Sequence, residues 1–283
     1  MTKSRYLPSR RAALMQLGAL AIPGGALLAL TPKAAADNVP SDPLVGRRIV
    51  FDDDFASLDW TRWNAGPKAT TAPSGFYGRS AFAQKGGDEG FNPYSIVDDP
   101  RVANGKALQI ACSYIGRPMH IRNYYGNDLP EFQWVSGNMQ GATPQGVLLN
   151  GWRSGYFEAR MQFPSHPLTW PAFWLLNDDP ARGGEVDLVE WYGNRDWPSG
   201  TTVHARLDGT SFATDPHPID SGWHTWRMTW QPTGMYFWKD YAPGQEPFFT
   251  VPANSLDDWP FNDPGYTLAP VFNLAIGDRK STR

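Results

Sequence analysis

The sequence predicts an all-β fold in which two antiparallel sheets pack face to face, as a sandwich or jelly roll. The first observation is the presence of 28 glycines and 26 prolines among 283 residues, well above their usual combined share of about 12%. This content disfavours long helices and favours short strands joined by turns. The second is the alternation of apolar and polar residues in GYFEARMQF (155–163) and WHTWRMTW (223–230), which gives each strand one face for a core.

The remaining strands are predicted from short apolar runs that end at turn residues. In chain order they lie at 47–51, 107–113, 170–176, 184–192, 201–206, 234–240, 246–251 and 268–276. The stretches 64–100 and 114–150 are rich in glycine, proline and asparagine. They predict long surface loops, which in a compact domain are usually functional or disordered. Because the sequence shows no fixed-period repeat and no interdomain linker, we expect one domain.

Residues 1–36 have the pattern of an export signal. Arg10 and Arg11 precede a glycine-containing apolar run, and the alanines at 34–36 form a small-residue cleavage site. Paired arginines favour the twin-arginine route. An uncleaved membrane anchor is the alternative, although glycines and a proline interrupt the run. We therefore expect a secreted, extracellular domain at 37–283 that has no membrane partner after cleavage.

The composition argues against several classes of partner. The formal net charge of −3 argues against nucleic acid or an anionic membrane. Cys112 is the only cysteine in the sequence, so an internal disulfide is not possible. The 13 Trp, 11 Tyr and 15 Phe suit a protein that stacks aromatic rings on sugars, but they equally suit an aromatic core. Composition alone leaves both interpretations of the aromatic residues open.

The motif GGEVDLVEWYG places three carboxylates in an apolar run. Charges on a buried strand cost free energy unless they are paired or used. Glu185 and Asp187 share one face of a strand, whereas Glu190 lies at an odd offset and would point to the other face. One extra residue near Leu188 or Val189 would bring all three acids to one face. We therefore predict a β-bulge at that point.

Three neighbouring carboxylates suit acid–base chemistry. Ionising all three costs free energy because the carboxylates repel one another, so one is expected to hold a proton near neutral pH. A general acid holds its proton in the same way. A retaining glycosidase needs two carboxyl groups about 5–5.5 Å apart, one as nucleophile and one as acid/base. The alternative is a solvent-facing row of acids that Arg or Lys on the neighbouring strand balances.

Longer segments surround this motif in a specific order and spacing. They are GWRSGYFEARMQFP, LTWPAFWLLNDD and GGEVDLVEWYGN in the central part, with RIVFDDDFASLDWTRWN, NGKALQIAC, WHTWRMTWQPTGMYFW and PVFNLAIG elsewhere. In these segments the chain resembles glycoside hydrolase family 16, in particular its laminarinase-type members. The resemblance implies a concanavalin A-like β-jelly roll with a cleft on its concave sheet. It further implies endo-hydrolysis of β-1,3-glucan with retention of the anomeric configuration. We therefore expect a monomer whose partner is a polysaccharide.

The resemblance also assigns roles to the acidic residues. It implies that Glu185 attacks the anomeric carbon and that Asp187 hydrogen-bonds this nucleophile. Glu190 is expected to protonate the leaving oxygen and then to deprotonate water. His204 falls on the next predicted strand, where we expect it beside Glu190. Some family members carry an active-site histidine at a similar distance, so a substrate-binding role and a purely structural role are both open.

Two tryptophans are further candidates for the site. Trp170 and Trp174 occupy even positions of one predicted strand and therefore share a face, where they either line sugar subsites or pack in the core. Trp191 alternates away from Glu190 and is left out of the site. The aspartates at 52–54 resemble the calcium site that some family members carry, but a solvated turn is the other interpretation. We expect no metal and no cofactor, with structural calcium as the minor alternative.

The chain departs from the family pattern at its end. The family continues after N-L-A-x-G through a final strand, whereas this sequence ends in DRKSTR. The resemblance therefore implies a catalytic domain truncated at the C-terminus, with the closing strand missing and a sheet edge exposed. Agarose, carrageenan and mixed-linkage glucan are alternative substrates. A catalytically silent carbohydrate-binding sandwich is the alternative from a different class.

Overall fold

The computed structural model describes residues 43–66, 76–77, 80–87, 89–117, 134–142, 147–164, 166–177, 179, 182–193 and 199–276. The predicted signal peptide and the C-terminal residues 277–283 lie outside this part, so the export signal and the missing closing strand stay predictions. Within the described residues, no helix has both the length and the apolar character needed to cross a membrane.

The described residues form a series of strands, numbered here in chain order. They are β1 (Asn64–Ala65), β2 (Phe76–Tyr77), β3 (Ser80–Phe82), β4 (Tyr94–Asp98), β5 (Lys106–Ile110), β6 (Ser113–Tyr114), β7 (Trp134–Ser136), β8 (Asn138–Gln140), β9 (Gly155–Gln162), β10 (Thr169–Leu176), β11 (Glu185–Glu190), β12 (Gly200–His204), β13 (Phe212–Pro216), β14 (Trp223–Gln231), β15 (Gly234–Lys239), β16 (Phe249–Pro252) and β17 (Ala269–Ile276).

The two main sheets form a sandwich. One has the strand order β1-β8-β17-β10-β11-β12-β13 and the other the order β16-β15-β14-β9, and the strand pairs in both are antiparallel. Side chains of both sheets meet in one hydrophobic core, which includes Phe173, Leu175, Val186, Leu188 and Val189 of the larger sheet and Phe157, Trp226, Met228, Trp230 and Phe237 of the smaller sheet. The predicted two-sheet jelly-roll sandwich is confirmed.

The stretches predicted as loops at 64–100 and 114–150 contain strands, so that prediction is wrong. β8 joins the larger sheet beside β17, β2-β3-β7-β6 form a separate sheet, and β4 pairs with β5. The β3–β7 pair is parallel, which is an exception to the antiparallel expectation. Ser136, Asn138 and Gln140 on β7 and β8 are buried although they are polar. Because of such residues, no apolar alternation marks these short strands in the sequence.

The strand predicted at 47–51 is also wrong, because these residues take no strand structure. Ile49 is 80% exposed. β-Branched residues favour strands mainly through packing against neighbours on a sheet. In the part of the chain that the structure describes, no strand pairs with this segment.

The strands predicted to carry the site are confirmed within two residues at each end. β10, β11 and β12 lie side by side in the larger sheet, with β17 on the other side of β10. All eight residues of β10 and all six of β11 are buried. The acidic motif therefore lies inside the sheet rather than at its edge.

Candidate active site

A β-bulge at Leu188 organises the acidic strand. In the ladder between β10 and β11, Phe173 pairs with Val189 whereas Trp174 pairs with Asp187. Leu188 is therefore the extra residue, and the predicted bulge is confirmed. Leu188 and Val189 both pack in the core between the sheets. Because two consecutive residues point to the core, Glu190 returns to the face of Glu185 and Asp187.

The bulge places the three acids on one face. Residues directly opposite each other in an antiparallel ladder point to the same side of the sheet. Glu185 pairs with Leu176, Asp187 with Trp174 and Glu190 with Ala172. These three partners are even-numbered residues of one strand and therefore share a face. The face opposite the main core thus carries all three carboxylates.

A hydroxyl from the neighbouring strand supports the bulge. Thr201 Oγ1 donates a hydrogen bond of 2.7 Å to the carbonyl oxygen of Leu188, and Thr201 is completely buried. A bulged residue loses its place in the regular ladder, so its backbone groups need other partners. Thr201 supplies one of them, and no pattern in the sequence pointed to it.

Replacing Thr201 by valine is expected to lower the free energy of unfolding by about 1–3 kcal/mol, because the buried carbonyl of Leu188 loses this donor. Urea denaturation of both proteins measures the difference. The matched control is Thr202→Val on the same strand, where an exposed hydroxyl contacts Thr214 Oγ1 at 3.1 Å; its effect is expected to stay within about 0.5 kcal/mol. Equal losses in the two variants would contradict the role given to Thr201.

The acids are buried rather than solvent-facing. Glu185 is 9% exposed, Asp187 0% and Glu190 8%. Buried carboxylates need a counter-charge or must take up protons. The alternative of a solvated acidic row balanced by Arg or Lys therefore does not describe this strand. Among the described residues, His204 provides a counter-charge, because its Nε2 lies 3.3 Å from Asp187 Oδ2.

His204 lies beside Glu185 and Asp187, so its predicted place beside Glu190 is wrong. In the ladder between β11 and β12, His204 pairs with Glu185 and Gly200 pairs with Glu190. The two strands are antiparallel, so the first residue of β12 meets the last residue of β11. His204 ends β12 and therefore reaches the opposite end of the acidic motif.

The surroundings of His204 favour its charged form. Burial alone lowers the pKa of His204, but the hydrogen bond and charge of Asp187, together with the charges of Glu185 and Glu190, raise it above 6.5 overall. A protonated imidazole beside Asp187 offsets part of the repulsion among the carboxylates. His204 thus lowers the electrostatic free energy of placing three carboxyl groups on one buried strand.

Replacing His204 by glutamine is expected to destabilise the protein most at acidic pH. The folded-state pKa is raised above the ordinary value of 6.5, so the stabilisation is fully present below about pH 6.5 and is lost as the pH rises through the folded-state pKa. Thermal unfolding of the wild type and His204→Gln between about pH 5 and 9 measures this difference. A gap that widens toward alkaline pH would contradict the assigned charge.

The predicted tryptophans lie on the acidic face. Trp170 Nε1 donates to Glu190 Oε1 at 3.2 Å, and Trp174 Nε1 donates to Asn273 Oδ1 at 2.8 Å. Both indoles are almost completely buried, and stacking on sugar stays a prediction. Trp191 packs against the main core, as its alternation predicted.

Sequence reasoning missed two polar residues of this face. The Tyr192 hydroxyl lies 3.4 Å from Glu190 Oε1, and period-two alternation from Glu190 is the signal that would have found it. Asn273 joins Trp174 to the backbone of Trp170, where its Nδ2 donates to the carbonyl oxygen at 3.4 Å. Its only signal is one polar residue in the apolar run of β17.

Two groups of residues bear on metal binding. Donor atoms of Glu185, Asp187 and His204 lie within 4.8 Å of one another, the one such grouping in the described ranges. Two members of this group, His204 and Asp187, form an ion pair in which Nε2 and Oδ2 are 3.3 Å apart. Asp53 accepts hydrogen bonds from Trp63 Nε1 at 2.7 Å and from a backbone N–H at 3.0 Å. The absence of a metal stays an expectation.

Comparisons with known proteins agree with this geometry. Residues 149–264, which contain β9 to β16, match glycosyl hydrolases family 16. A crystal structure of a glycoside hydrolase family protein from Mycobacterium thermorestibile is 42% identical with a TM-score of 0.59, over 82% of this chain and 91% of that one. The structure of Rv0315, named an immunostimulatory antigen and pseudo β-1,3-glucanase of Mycobacterium tuberculosis, is 38% identical with a TM-score of 0.54, over 78% of this chain and 82% of that one.

A curated relative is similar over a shorter region. Endo-1,3-1,4-β-glycanase EglC of Rhizobium meliloti is 35% identical over 126 residues, which are 44% of this chain and 25% of EglC. The match thus spans only about a quarter of that relative's length. The family match over the acidic strand and the similarity over 91% of a solved glycoside hydrolase lead to one conclusion. The chain belongs to glycosyl hydrolase family 16.

Proposed function

We propose that the chain is a secreted retaining endo-glycosidase that hydrolyses β-1,3-glucan by double displacement. The observation that carries this proposal is the position of Glu185 and Glu190 on one buried face of β11, with the bulge at Leu188 between them. Retaining hydrolysis requires two carboxyl groups beside one glycosidic bond, one ionised and one protonated. A single regular strand would have separated these two glutamates onto opposite faces.

The reaction then has two steps. In the first, the carboxylate of Glu185 bonds to the anomeric carbon while the bond to the leaving oxygen breaks and the proton of Glu190 passes to that oxygen. In the second, Glu190 takes a proton from water, the water oxygen bonds to the anomeric carbon and the bond to Glu185 breaks. Two inversions give net retention. Asp187 lies on the same face as the nucleophile Glu185, and His204 pairs with its carboxylate.

The names of similar proteins support the substrate. EglC is named an endo-1,3-1,4-β-glycanase, and Rv0315 is named a pseudo β-1,3-glucanase. Both names refer to β-1,3 linkages between sugars. Export is supported by the twin-arginine pattern of residues 1–36. We place the mature domain outside the cell as a monomer that acts on polysaccharide.

A second candidate function is a catalytically silent carbohydrate-binding sandwich. It is favoured by the word "pseudo" in the name of Rv0315, which is 38% identical to this chain. The intact acidic set favours catalysis, because binding alone needs aromatic platforms and not two buried glutamates on one face of a strand. The two functions differ in one measurable respect, the release of new sugar ends.

The test is release of reducing ends from laminarin, lichenan and agarose by the mature protein, residues 37–283. We expect release from laminarin to be fastest, slower release from lichenan and none from agarose. A folded protein that binds laminarin but releases no ends from any polymer would favour the silent binding sandwich. Preferential release from agarose would overturn the substrate but keep the glycosidase.

A further inference from the structure

Two hydrogen-bond donors converge on a single oxygen of Glu190. Trp170 Nε1 lies 3.2 Å from Glu190 Oε1, and the hydroxyl of Tyr192 lies 3.4 Å from the same oxygen. The two aromatic rings also pack on each other, with centroids 5.1 Å apart and an interplanar angle of 33°. Donors from β10 and from the segment after β11 thus meet at one carboxyl oxygen.

The chemistry of the indole decides which oxygen holds the proton. An indole N–H only donates and never accepts a hydrogen bond. Oε1 of Glu190 therefore accepts a hydrogen bond in both protonation states of the carboxyl group. In the protonated group the carbonyl oxygen is a better acceptor than the hydroxyl oxygen, so two donors on Oε1 favour the proton on Oε2. A general acid whose proton is confined to one oxygen needs no rotation before transfer.

We propose that Tyr192 and Trp170 are positioning residues that hold Glu190 with its proton on Oε2, directed at the leaving sugar oxygen. The inference rests on the proposed function and deepens it, because it states how the acid/base is held. Tyr192 is the informative member of the pair. Its backbone N–H bonds to Ser199 Oγ at 2.9 Å, and its ring packs on Trp170, so removing only the hydroxyl leaves both contacts in place.

The effect of the Tyr192 hydroxyl on Glu190 adds to that of the charged groups around this residue. Glu185 and Asp187 lie on the same face of β11 as Glu190, and His204 on β12 interacts electrostatically with all three acids. Trp170 and Tyr192 donate to Oε1 and therefore stabilise the carboxylate that forms when the proton leaves. Without the Tyr192 hydroxyl, proton transfer to the leaving sugar becomes less favourable. A protein without this hydroxyl is therefore expected to lose activity only on substrates whose leaving group needs that proton.

The test compares Tyr192→Phe with the wild type on two substrates. On laminarin, we expect kcat/KM to fall about 2- to 10-fold and the basic limb of its pH profile to move up by roughly 0.5–1 pH unit. On 2,4-dinitrophenyl β-laminaribioside, whose leaving group needs no proton, kcat/KM is expected to stay within about 2-fold. Tyr156→Phe, which removes a tyrosine hydroxyl bonded to Glu158 on β9, is the matched control and is expected to match the wild type on both substrates.

Three results separate the possible failures. Equal losses on laminarin and on the activated glycoside would assign Tyr192 a structural role and overturn the inference. An unchanged pH profile in Tyr192→Phe would also overturn it, while leaving the wild-type activity and the proposed function intact. A wild type that cleaves neither substrate would instead remove the proposed function, and the inference with it.

Discussion

Replacing Glu185 by glutamine is expected to reduce laminarin hydrolysis by about 10⁴-fold or more, because residues that form the covalent intermediate have effects of this size. An amide of the same shape cannot form the glycosyl ester on which double displacement depends. The quantity to measure is kcat/KM from reducing-end release, together with the circular dichroism spectrum as a check of folding.

The matched control for this variant is Glu158→Gln. Glu158 lies on β9 in the other sheet and forms an ion pair with Arg227 at 2.6 Å. The same chemical change there is expected to alter kcat/KM by about 2-fold at most, because surface substitutions outside a site have small effects. If the folded Glu185→Gln protein kept more than about a hundredth of the wild-type rate, the nucleophile would have to be sought elsewhere.

Replacing Glu190 by glutamine is expected to show a different dependence on substrate. On laminarin, kcat/KM should fall by about 10²–10⁴-fold, because the sugar leaving group loses its proton donor. On 2,4-dinitrophenyl β-laminaribioside, formation of the intermediate should remain within about 10-fold of the wild type, since this leaving group departs without a proton. Steady-state kinetics on both substrates measure the contrast.

Added azide provides the control for the second step. In Glu190→Gln the intermediate on Glu185 lacks the base that activates water, and azide attacks without one. Its addition should therefore speed turnover of the activated substrate and yield a β-glycosyl azide. A parallel loss on both substrates, without a response to azide, would remove Glu190 from the acid/base role.

The acidic strand was predictable because its signals are local. Alternation with period two assigns Glu185 and Asp187 to one face, and the odd offset of Glu190 requires an extra residue. The sequence did not identify the hydroxyl that supports this bulge. Thr201 lies on the next strand, and its bond to the Leu188 carbonyl depends on the register of that strand.

The wrong predictions for His204 and β8 also concern residues whose positions depend on pairing with strands that are distant in sequence. His204 was expected beside Glu190, but its partner follows from where β12 begins, which the sequence pattern does not give. β8 was expected to be loop. It is a strand because it pairs with β17 and because Tyr94 accepts from the N–H of Asn138 at 3.0 Å and donates to its carbonyl oxygen at 2.9 Å. Partners this distant in sequence leave no periodic signal.

The central claim is that the bulged strand presents Glu185 as the nucleophile and Glu190 as its acid/base partner. The most direct test is to incubate the mature protein with 2,4-dinitrophenyl 2-deoxy-2-fluoro-β-laminaribioside and to locate the trapped sugar by peptide mass mapping. Fluorine slows both steps, and the activated leaving group lets the first one proceed. The account predicts one sugar adduct per chain, attached to Glu185. An adduct on Asp187, on Glu190 or on a residue outside β11 would contradict it.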